Sequence, residues 1–269
     1  MSGYEELNLA SVKTLLDNTF ANSMSIGLKL YKGITYSNEL SDFYLFNSGE
    51  TVRPSKTVRE HGNYYNLLLN NLPKWEPFQK REKSIILTSC QETAKSFSSA
   101  SCSDPSKKFG KTFRVLLPLG THITIAPCPD IWNSFSKVLN AFSIGGYNKS
   151  LIDFNKYLNE IALACNIDPK LLGEWHGFSE FVSNFIENKY EIKRPLSNGA
   201  ERMIEALLKS GPLCFDFLNE LFDPESNGFR ISIYDEKLRK FEYPNNEIWT
   251  KANALLIAES EIKKLGYIY

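Results

Sequence analysis

An apolar run that ends on two hydroxyls is the first feature of this sequence that could do chemistry. The stretch SIILTSCQETAKSFS, residues 84–98, is apolar up to Leu87 and continues with Thr88 and Ser89. Ser89 precedes Glu92 by the spacing of a capping box, which closes the N-terminus of a helix. A hydroxyl at the mouth of a cleft can also hold a ligand or orient a carboxylate. The residues alone leave both interpretations open.

The carboxylate that such a hydroxyl could orient is Glu247, in the stretch YPNNEIWT. It follows a Pro-Asn-Asn turn and opens a predicted strand, so the backbone would hold it while its side chain stays accessible. A carboxylate in that position can act as acid or base, or stabilise a developing positive charge. The alternative is an exposed glutamate on an edge strand, since isolated glutamates mostly face water.

Two basic residues early in the chain could hold an anion. The stretch SIGLKLYKGIT predicts a strand with Ile26, Leu28, Leu30 and Lys32 on one side, which ends at Lys-Gly. Lys32 would then lie at the sheet rim, where a lysine either reaches for water or contacts a phosphate. Arg53, in TVRPSKTVRE, has the planar fork that binds phosphate, and it could equally be an ordinary loop arginine.

The elements that would position these residues follow from hydrophobic periodicity and turn residues. An amphipathic helix near the start precedes the first strand, and Pro129 separates a mixed region from a helical one. Strand patterns return near the end, where Ala254 to Ala258 suit a buried strand. In chain order, we predict a long loop over 36–59, a helix over 60–72, a strand over 84–88 followed by a helix, two strands around 119–120, helices over 131–222, and strands over 228–235 and 247–258.

This layout predicts an α+β fold with a large helical insertion. Residues 1–130 and 229–269 would form a discontinuous α+β core around a mixed or antiparallel sheet, and residues 131–228 would form the helical insertion. The aromatic and aliphatic stripes of the helical block predict core packing rather than a cofactor site.

The composition of the chain limits the classes of function that the sequence favours. The 269 residues are 42% hydrophobic, and 31 basic residues balance 31 acidic ones, so bulk charge favours neither nucleic acid nor an anionic membrane. The five cysteines are scattered, which favours reduced thiols, and neither cysteines nor histidines have metal-ligand spacing. The first residues, MSGYEELNLA, are unlike a signal peptide, and no apolar run would span a membrane. We therefore expect a cytoplasmic protein without a metal.

The order of these stretches resembles the ADP-ribosyltransferase superfamily, whose pattern is an arginine, Ser-Thr-Ser and Glu-x-Glu. LYKGI is similar to the first-strand motif, with Lys32 in the place of arginine. LTSCQETAKSF is similar to the Ser-Thr-Ser strand and the helix after it. NNEIW is similar to the Glu-x-Glu segment, with Asn245 in the first acidic position and Glu247 in the catalytic one. FRVLLPLGTHITIAP is similar to the hairpin that follows the second motif.

The resemblance implies a split sheet of the ADP-ribosyltransferase type and cleavage of NAD at the nicotinamide–ribose bond. Glu247 would accept a hydrogen bond from a ribose hydroxyl and offset the positive charge that develops on the ribose. Thr88 and Ser89 would orient Glu247 or contact the same ribose. Lys32 and Arg53 would hold the pyrophosphate. The basic role could belong to either of these two.

The resemblance also implies a macromolecular acceptor, either a protein or a nucleic acid (DNA or RNA). Members of the superfamily include toxins, effectors and phage or defence proteins. The helical block would then recognise the acceptor or bind a neutralising partner protein. Net neutrality favours a protein acceptor, and basic clusters such as KREK at 80–83 keep nucleic acid open.

Two other classes of protein compete with the transferase interpretation. A non-catalytic binding or regulatory protein would use its aromatic-rich helical block for association. A metal-dependent nuclease would need clustered acidic ligands, for which Asp216, Asp223 and Glu225 form the nearest set. Geometry discriminates between them, because a transferase would have Thr88, Ser89 and Glu247 on adjacent strands that face one cleft, and not at opposite ends of the sheet.

Overall fold

The computed structural model describes residues 3–36, 38–48, 64–99, 109–142, 150–239 and 242–265. The chain divides into two compact units. The first comprises Met1–Val52, Gln79–Pro129 and Arg230–Tyr269, and the second comprises Arg53–Phe78 and Asp130–Phe229. Residues 53–78, which the sequence analysis placed with the core, are therefore grouped with the helices.

The first unit contains one nine-stranded sheet, in which every strand pair that the structure describes is antiparallel. The predicted α+β class is confirmed, and the described sheet is antiparallel rather than mixed. The strands are β1 (Tyr4–Glu6), β2 (Leu30–Tyr36), β3 (Phe43–Phe46), β4 (Ile85–Thr88), β5 (Phe109–Leu116), β6 (Thr121–Ile125), β7 (Arg230–Tyr234), β8 (Glu247–Thr250) and β9 (Ala254–Ala258), in the spatial order β1-β3-β9-β5-β2-β4-β8-β6-β7.

Both faces of this sheet carry an apolar core. Side chains alternate along each strand, so every strand can supply residues to both faces. Leu87 and Val115 belong to the core on one face. Leu116 belongs to the core on the other face, together with Val12 and Leu16 of helix α1 (Leu9–Asp17). The same face carries helix α3 (Gln91–Ser99), while the short helix α9 (Glu259–Ile262) follows β9.

The structure corrects several strand predictions. β5 and β6 form no hairpin, because β5 pairs with β2 and β9 whereas β6 pairs with β7 and β8. β3 lies within the predicted loop 36–59, most of whose remaining residues are outside the described part of the chain. Ile231 and Ile233 are exposed on β7, which is at the edge of the sheet.

The second unit consists of helices packed around aromatic side chains. The predicted stripes of the helical block are core residues, as Phe154, Phe178 and Met203 illustrate. Trp75 contacts the ring of Phe229 and belongs to the same cluster. The helices are α2 (Tyr64–Asn71), α4 (Ser136–Ala141), α5 (Ser150–Ala164), α6 (Trp175–Ile186), α7 (Asn198–Ser210) and α8 (Cys214–Leu221).

None of the helices in the described ranges is both long enough and apolar enough to cross a membrane.

Candidate functional site

A row of polar side chains crosses four neighbouring strands of the sheet. Thr88 on β4 lies directly opposite Glu247 on β8 and directly opposite Tyr31 on β2, which in turn lies opposite Arg114 on β5. Residues opposite each other in antiparallel strands project to the same face, with Cβ atoms about 4.5–5.5 Å apart. The row Arg114–Tyr31–Thr88–Glu247 therefore brings together two of the predicted site residues, and it adds Tyr31 and Arg114, which the sequence analysis did not select.

Ser89 links the end of β4 to the turn before Glu247. Its amide donates to the carbonyl of Asn246 at 3.1 Å, and its Oγ accepts from the Asn246 amide at 2.8 Å. Ser89 is fully buried, and it does not bond the backbone of the following helix. The capping-box interpretation of Ser89 and Glu92 is therefore wrong, because the hydroxyl is committed to Asn246.

Three further hydrogen bonds fix the backbone around Glu247. The Glu247 amide donates to the Cys128 carbonyl at 2.9 Å, and the Glu247 carbonyl accepts from the Ala126 amide at 2.8 Å. The Asn246 side-chain amide donates to the Ala126 carbonyl at 2.7 Å. The backbone of Glu247 is consequently held by hydrogen bonds, and the residue is only 5% exposed. The predicted accessible side chain is thus buried in the structure.

Arg81 is the charged partner of Glu247. Its Nε donates to Glu247 Oε1 at 2.8 Å, and both side chains are largely buried. Sequence analysis noted Arg81 only as part of the basic cluster KREK. No local signal distinguishes it from the other residues of that cluster, because its pairing with Glu247 depends on β8 lying beside β4.

Lys32 lies inside β2 rather than at its end. Alternation places it on the face that it shares with Leu30 and Ile34, opposite to the face of Thr88 and Glu247. Its ammonium group donates to the Ile86 carbonyl at 2.9 Å. Among the described residues, β2 and β4 pair only where Tyr31 meets Thr88.

Arg53, the other predicted basic residue, lies outside the described residues. The geometry of the site is therefore described without Arg53.

The strand β2 continues beyond Lys32 because Gly33 makes room for helix α3. A Cβ at Gly33 would lie 2.0 Å from the carbonyl oxygen of Ala94 and 2.7 Å from the amide of Ser98. The glycine that predicted a strand end is instead the point where α3 packs directly on the sheet. This contact lies on the face of Thr88 and brings α3 close to the row.

Arg114 is fully buried, and its three guanidinium nitrogens make no hydrogen bond with any residue that the structure describes. Its guanidinium carbon lies 5.4 Å from the centroid of the Tyr31 ring, within the range of a cation–π contact. Burial raises the pKa of Tyr31, and the charge of Arg114 opposes that rise. The two groups therefore interact electrostatically between neighbouring strands.

Glu259 is an acidic residue that interacts electrostatically with Arg114. Burial raises the pKa of Glu259, and the positive charge of Arg114 acts in the opposite direction. Oε2 of Glu259 accepts from the Gln91 side chain at 3.1 Å, whereas its buried Oε1 has no hydrogen-bond partner among the described residues.

Cys90 occupies the N-cap position of α3, because its carbonyl accepts the amide of Ala94. The pKa of the Cys90 thiol is lowered, chiefly by the backbone amide of Thr93 and further by the Thr93 side chain and the amide of Glu92, while burial opposes the shift. Burial raises the pKa of Cys214, which lies inside the helical unit, to about 11.

No group of three or more His, Cys, Asp or Glu residues suited to a metal ion occurs in the described ranges. Of the acidic set considered for a nuclease, Asp223 forms an ion pair with Lys74 at 2.6 Å. That pairing lowers the pKa of Asp223 against the opposing effect of its burial.

Comparison of the chain with protein-family models, with curated proteins and with solved structures finds no match.

Proposed function

We propose that the chain is an NAD-dependent mono-ADP-ribosyltransferase with Glu247 as its catalytic carboxylate. One observation carries the proposal: Thr88 and Glu247 lie opposite each other on adjacent strands and face the same side of the sheet. β2, which contains the motif LYKGI, is the other neighbour of β4. The three stretches that resemble the superfamily therefore occupy three consecutive strands.

In this proposal the nicotinamide–ribose bond of NAD breaks, and nicotinamide leaves with the bonding electrons. A nucleophilic atom of the acceptor forms the new bond to the ribose carbon and loses its proton. Glu247 accepts a hydrogen bond from a ribose hydroxyl, which offsets the positive charge that develops on the ribose. Ser89 acts through Asn246 to fix the backbone of Glu247.

Lys32 and Arg53 are the proposed candidates for binding the pyrophosphate, and Lys32 would reach it only from the sheet face opposite to that of Glu247. The ammonium group of Lys32 bonds a backbone carbonyl. It would therefore exchange this contact for the phosphate on binding. A strongly hydrated ammonium group on a flexible stem is suited to such an exchange.

The proposed acceptor is a macromolecule, either a protein or a nucleic acid, modified in the cytoplasm by a toxin or effector. Equal numbers of basic and acidic residues favour a protein. The helical unit, with its aromatic core, would recognise the acceptor or a neutralising partner protein.

The test is release of nicotinamide from NAD by the purified chain, with cell lysate as the source of acceptor. Glu247→Gln removes the negative charge and keeps the shape, so we expect the rate to fall by about 10²–10³. Glu236→Gln is the matched control, because Glu236 is exposed in the same unit and should leave the rate unchanged. A folded wild-type protein that neither releases nicotinamide nor binds NAD would contradict the proposal.

A cleft in the helical unit favours the second candidate, a binding or regulatory protein. The cleft encloses about 340 Å³ and is lined in part by Leu171, Phe181 and Tyr190. Leu171 is 63% exposed, which is unusual for a large apolar side chain. Retention of a partner by the wild type, and its loss in Leu171→Glu without any change in nicotinamide release, would support this candidate.

A further inference from the structure

The cleft of the helical unit lies between the 3-10 helix Pro169–Gly173 and the start of α6. Its volume of about 340 Å³ is in the range of sites for small ligands. The two walls pack closely, because a Cβ at Gly177 would lie 2.0 Å from the carbonyl oxygen of Leu171. The Tyr64 hydroxyl also donates to the carbonyl of Pro169 at 3.3 Å. The cleft is therefore formed by the fold itself.

Apolar side chains supply much of the surface of this cleft. Leu172 and Phe181 are buried, whereas Leu171 is 63% exposed. The ring of Tyr190 stacks on Phe181 with a centroid separation of 5.6 Å and an interplanar angle of 25°. Its hydroxyl accepts from the Asn184 side-chain amide at 3.3 Å. The cleft thus offers an exposed aliphatic group at Leu171 and a fixed aromatic ring at Tyr190.

The charged groups that line the cleft are acidic. Glu174 and Glu180 are exposed carboxylates, and no lysine or arginine is among the described residues of the lining. Glu174 precedes α6 without capping it through its side chain. Glu180 lies 3.8 Å from the exposed imidazole of His176. The ammonium group of Lys189, a neighbour of the lining, pairs with Glu187 at 2.5 Å.

The N-terminus of α6 offsets this negative charge only in part. A helix N-terminus carries about half of a positive elementary charge, whereas Glu174 and Glu180 together carry two negative charges. An ordinary imidazole is mostly neutral at about pH 7.5, so His176 does not change the sign there. The cleft therefore favours a cation that has an apolar neighbour.

We propose that this cleft binds a peptide segment in which an arginine or lysine adjoins an apolar residue. The carboxylates of Glu174 and Glu180 contact the cationic group, which can also lie against the ring of Tyr190. The apolar side chain of the peptide covers Leu171. This names the chemistry of a partner for the cleft that favours the second candidate function, and it does not rest on the cleavage of NAD.

The test titrates the purified chain with two peptides at about pH 7.5 and follows amide chemical shifts by NMR. Acetyl-leucyl-arginine amide carries the charge, and acetyl-leucyl-citrulline amide has nearly the same shape without it. Such short peptides bury little surface, so we expect Kd values on the order of 1 mM. The arginine peptide should bind about fivefold more tightly and shift the amides of Gly177 and Tyr190. Its advantage should disappear in about 0.5 M salt.

Three variants assign the binding to the cleft. Glu174→Gln/Glu180→Gln removes both carboxylates and keeps their shape, so the arginine peptide should then bind no better than the citrulline peptide. Glu201→Gln/Glu205→Gln is the matched control, because it makes the same change of charge at exposed positions of α7 outside the lining. Leu171→Ala should weaken both peptides by a similar factor, since it removes an apolar contact and no charge.

The outcomes decide the proposal without any assay of NAD. An advantage of the arginine peptide that the cleft double variant loses, and that the α7 double variant keeps, supports it. Equal binding of the two peptides would overturn it, because the ligand of the cleft would then be uncharged. The absence of chemical shift changes at about tenfold the expected Kd would also overturn it. Nicotinamide release, tested through Glu247, succeeds or fails independently of these titrations.

Discussion

The guanidinium of Arg114 occupies the centre of the sheet without a hydrogen bond to any described residue. An arginine cannot relieve this by losing its proton, and an uncompensated buried charge is costly. The ring of Tyr31 and the charge of Glu259 offset part of that cost. The buried guanidinium of Arg114 is thus expected to lower the free energy of unfolding.

We therefore expect Arg114→Met to raise the free energy of unfolding. Met has a similar length and no polar atom, and the about 1–4 kcal/mol gained when whole buried ion pairs are replaced by apolar residues is the upper limit for this single site. Urea unfolding followed by circular dichroism measures the change. Arg230→Met is the matched control at an exposed position of β7, and its effect should be within about 0.5 kcal/mol of zero. A less stable Arg114→Met would show that the guanidinium is compensated in the folded chain.

At the scale of elements, the N-terminus of α3 sets Cys90 apart from Cys165 and Cys214, which are buried in the helical unit. Backbone amides donate to Cys90 and lower its pKa, whereas burial raises the pKa of Cys165 and of Cys214. A lower pKa gives more thiolate below pH 8, and the thiolate is the reacting species. We expect Cys90 to be alkylated by iodoacetamide much faster than Cys165 and Cys214 at pH 7.

Peptide mapping by mass spectrometry separates the cysteines and gives their individual rates. The rate for Cys90 should also reach its plateau at a lower pH than that of a free thiol. The control is the same protein in urea, where all cysteines should react at similar rates. Equal rates for Cys90 and Cys214 in the folded protein would contradict this expectation.

The elements that the sequence predicted best are those with local signals. The helical periods around Phe154 and Phe178, and the apolar run of β9, depend on neighbouring residues and appear in the structure as predicted. Strand partners depend on distant residues, so the hairpin expected of β5 and β6 was wrong. The glycine of LYKGI looked like a strand end, because no local signal indicates that α3 packs on Gly33.

The candidate site was predictable only in part for the same reason. Glu247 and Thr88 were selected from their turn and strand contexts, and their juxtaposition is a matter of sheet register. Arg81 and Arg114 carry no local sign of their role. Arg81 resembles any basic residue in a charged cluster. Arg114 interrupts an apolar strand, and such an interruption is also typical of a strand at the edge of a sheet.

At the scale of the whole molecule, the chain passes between its two units four times, and contacts between distant segments complete each unit. In the helical unit, Nε1 of Trp75 donates to the Phe222 carbonyl at 2.7 Å across 147 residues of sequence. Lys74, the preceding residue, pairs with Asp223 at 2.6 Å. These contacts explain why residues 64–78 belong with the helices, which composition alone could not indicate.

Trp75 is therefore expected to anchor the early segment to the end of α8. Trp75→Phe keeps a ring and removes the donor, which leaves the Phe222 carbonyl without its partner and should cost about 1–3 kcal/mol. Trp75→Ala also removes the packing against Phe135 and Phe229 and should cost about 3–5 kcal/mol. Urea unfolding followed at 222 nm gives both values, since loss of tryptophan fluorescence does not affect this signal.

Hydrogen exchange locates the effect within the helical unit. We expect the amide of Phe222, which donates to the Leu218 carbonyl, to lose protection in both variants, and more in Trp75→Ala. Trp175→Phe is the control, because Trp175 is only partly buried and stacks on Phe178 away from this contact. If Trp75→Phe is as stable as the wild type, the hydrogen bond to Phe222 adds nothing, and ring packing alone holds the segment.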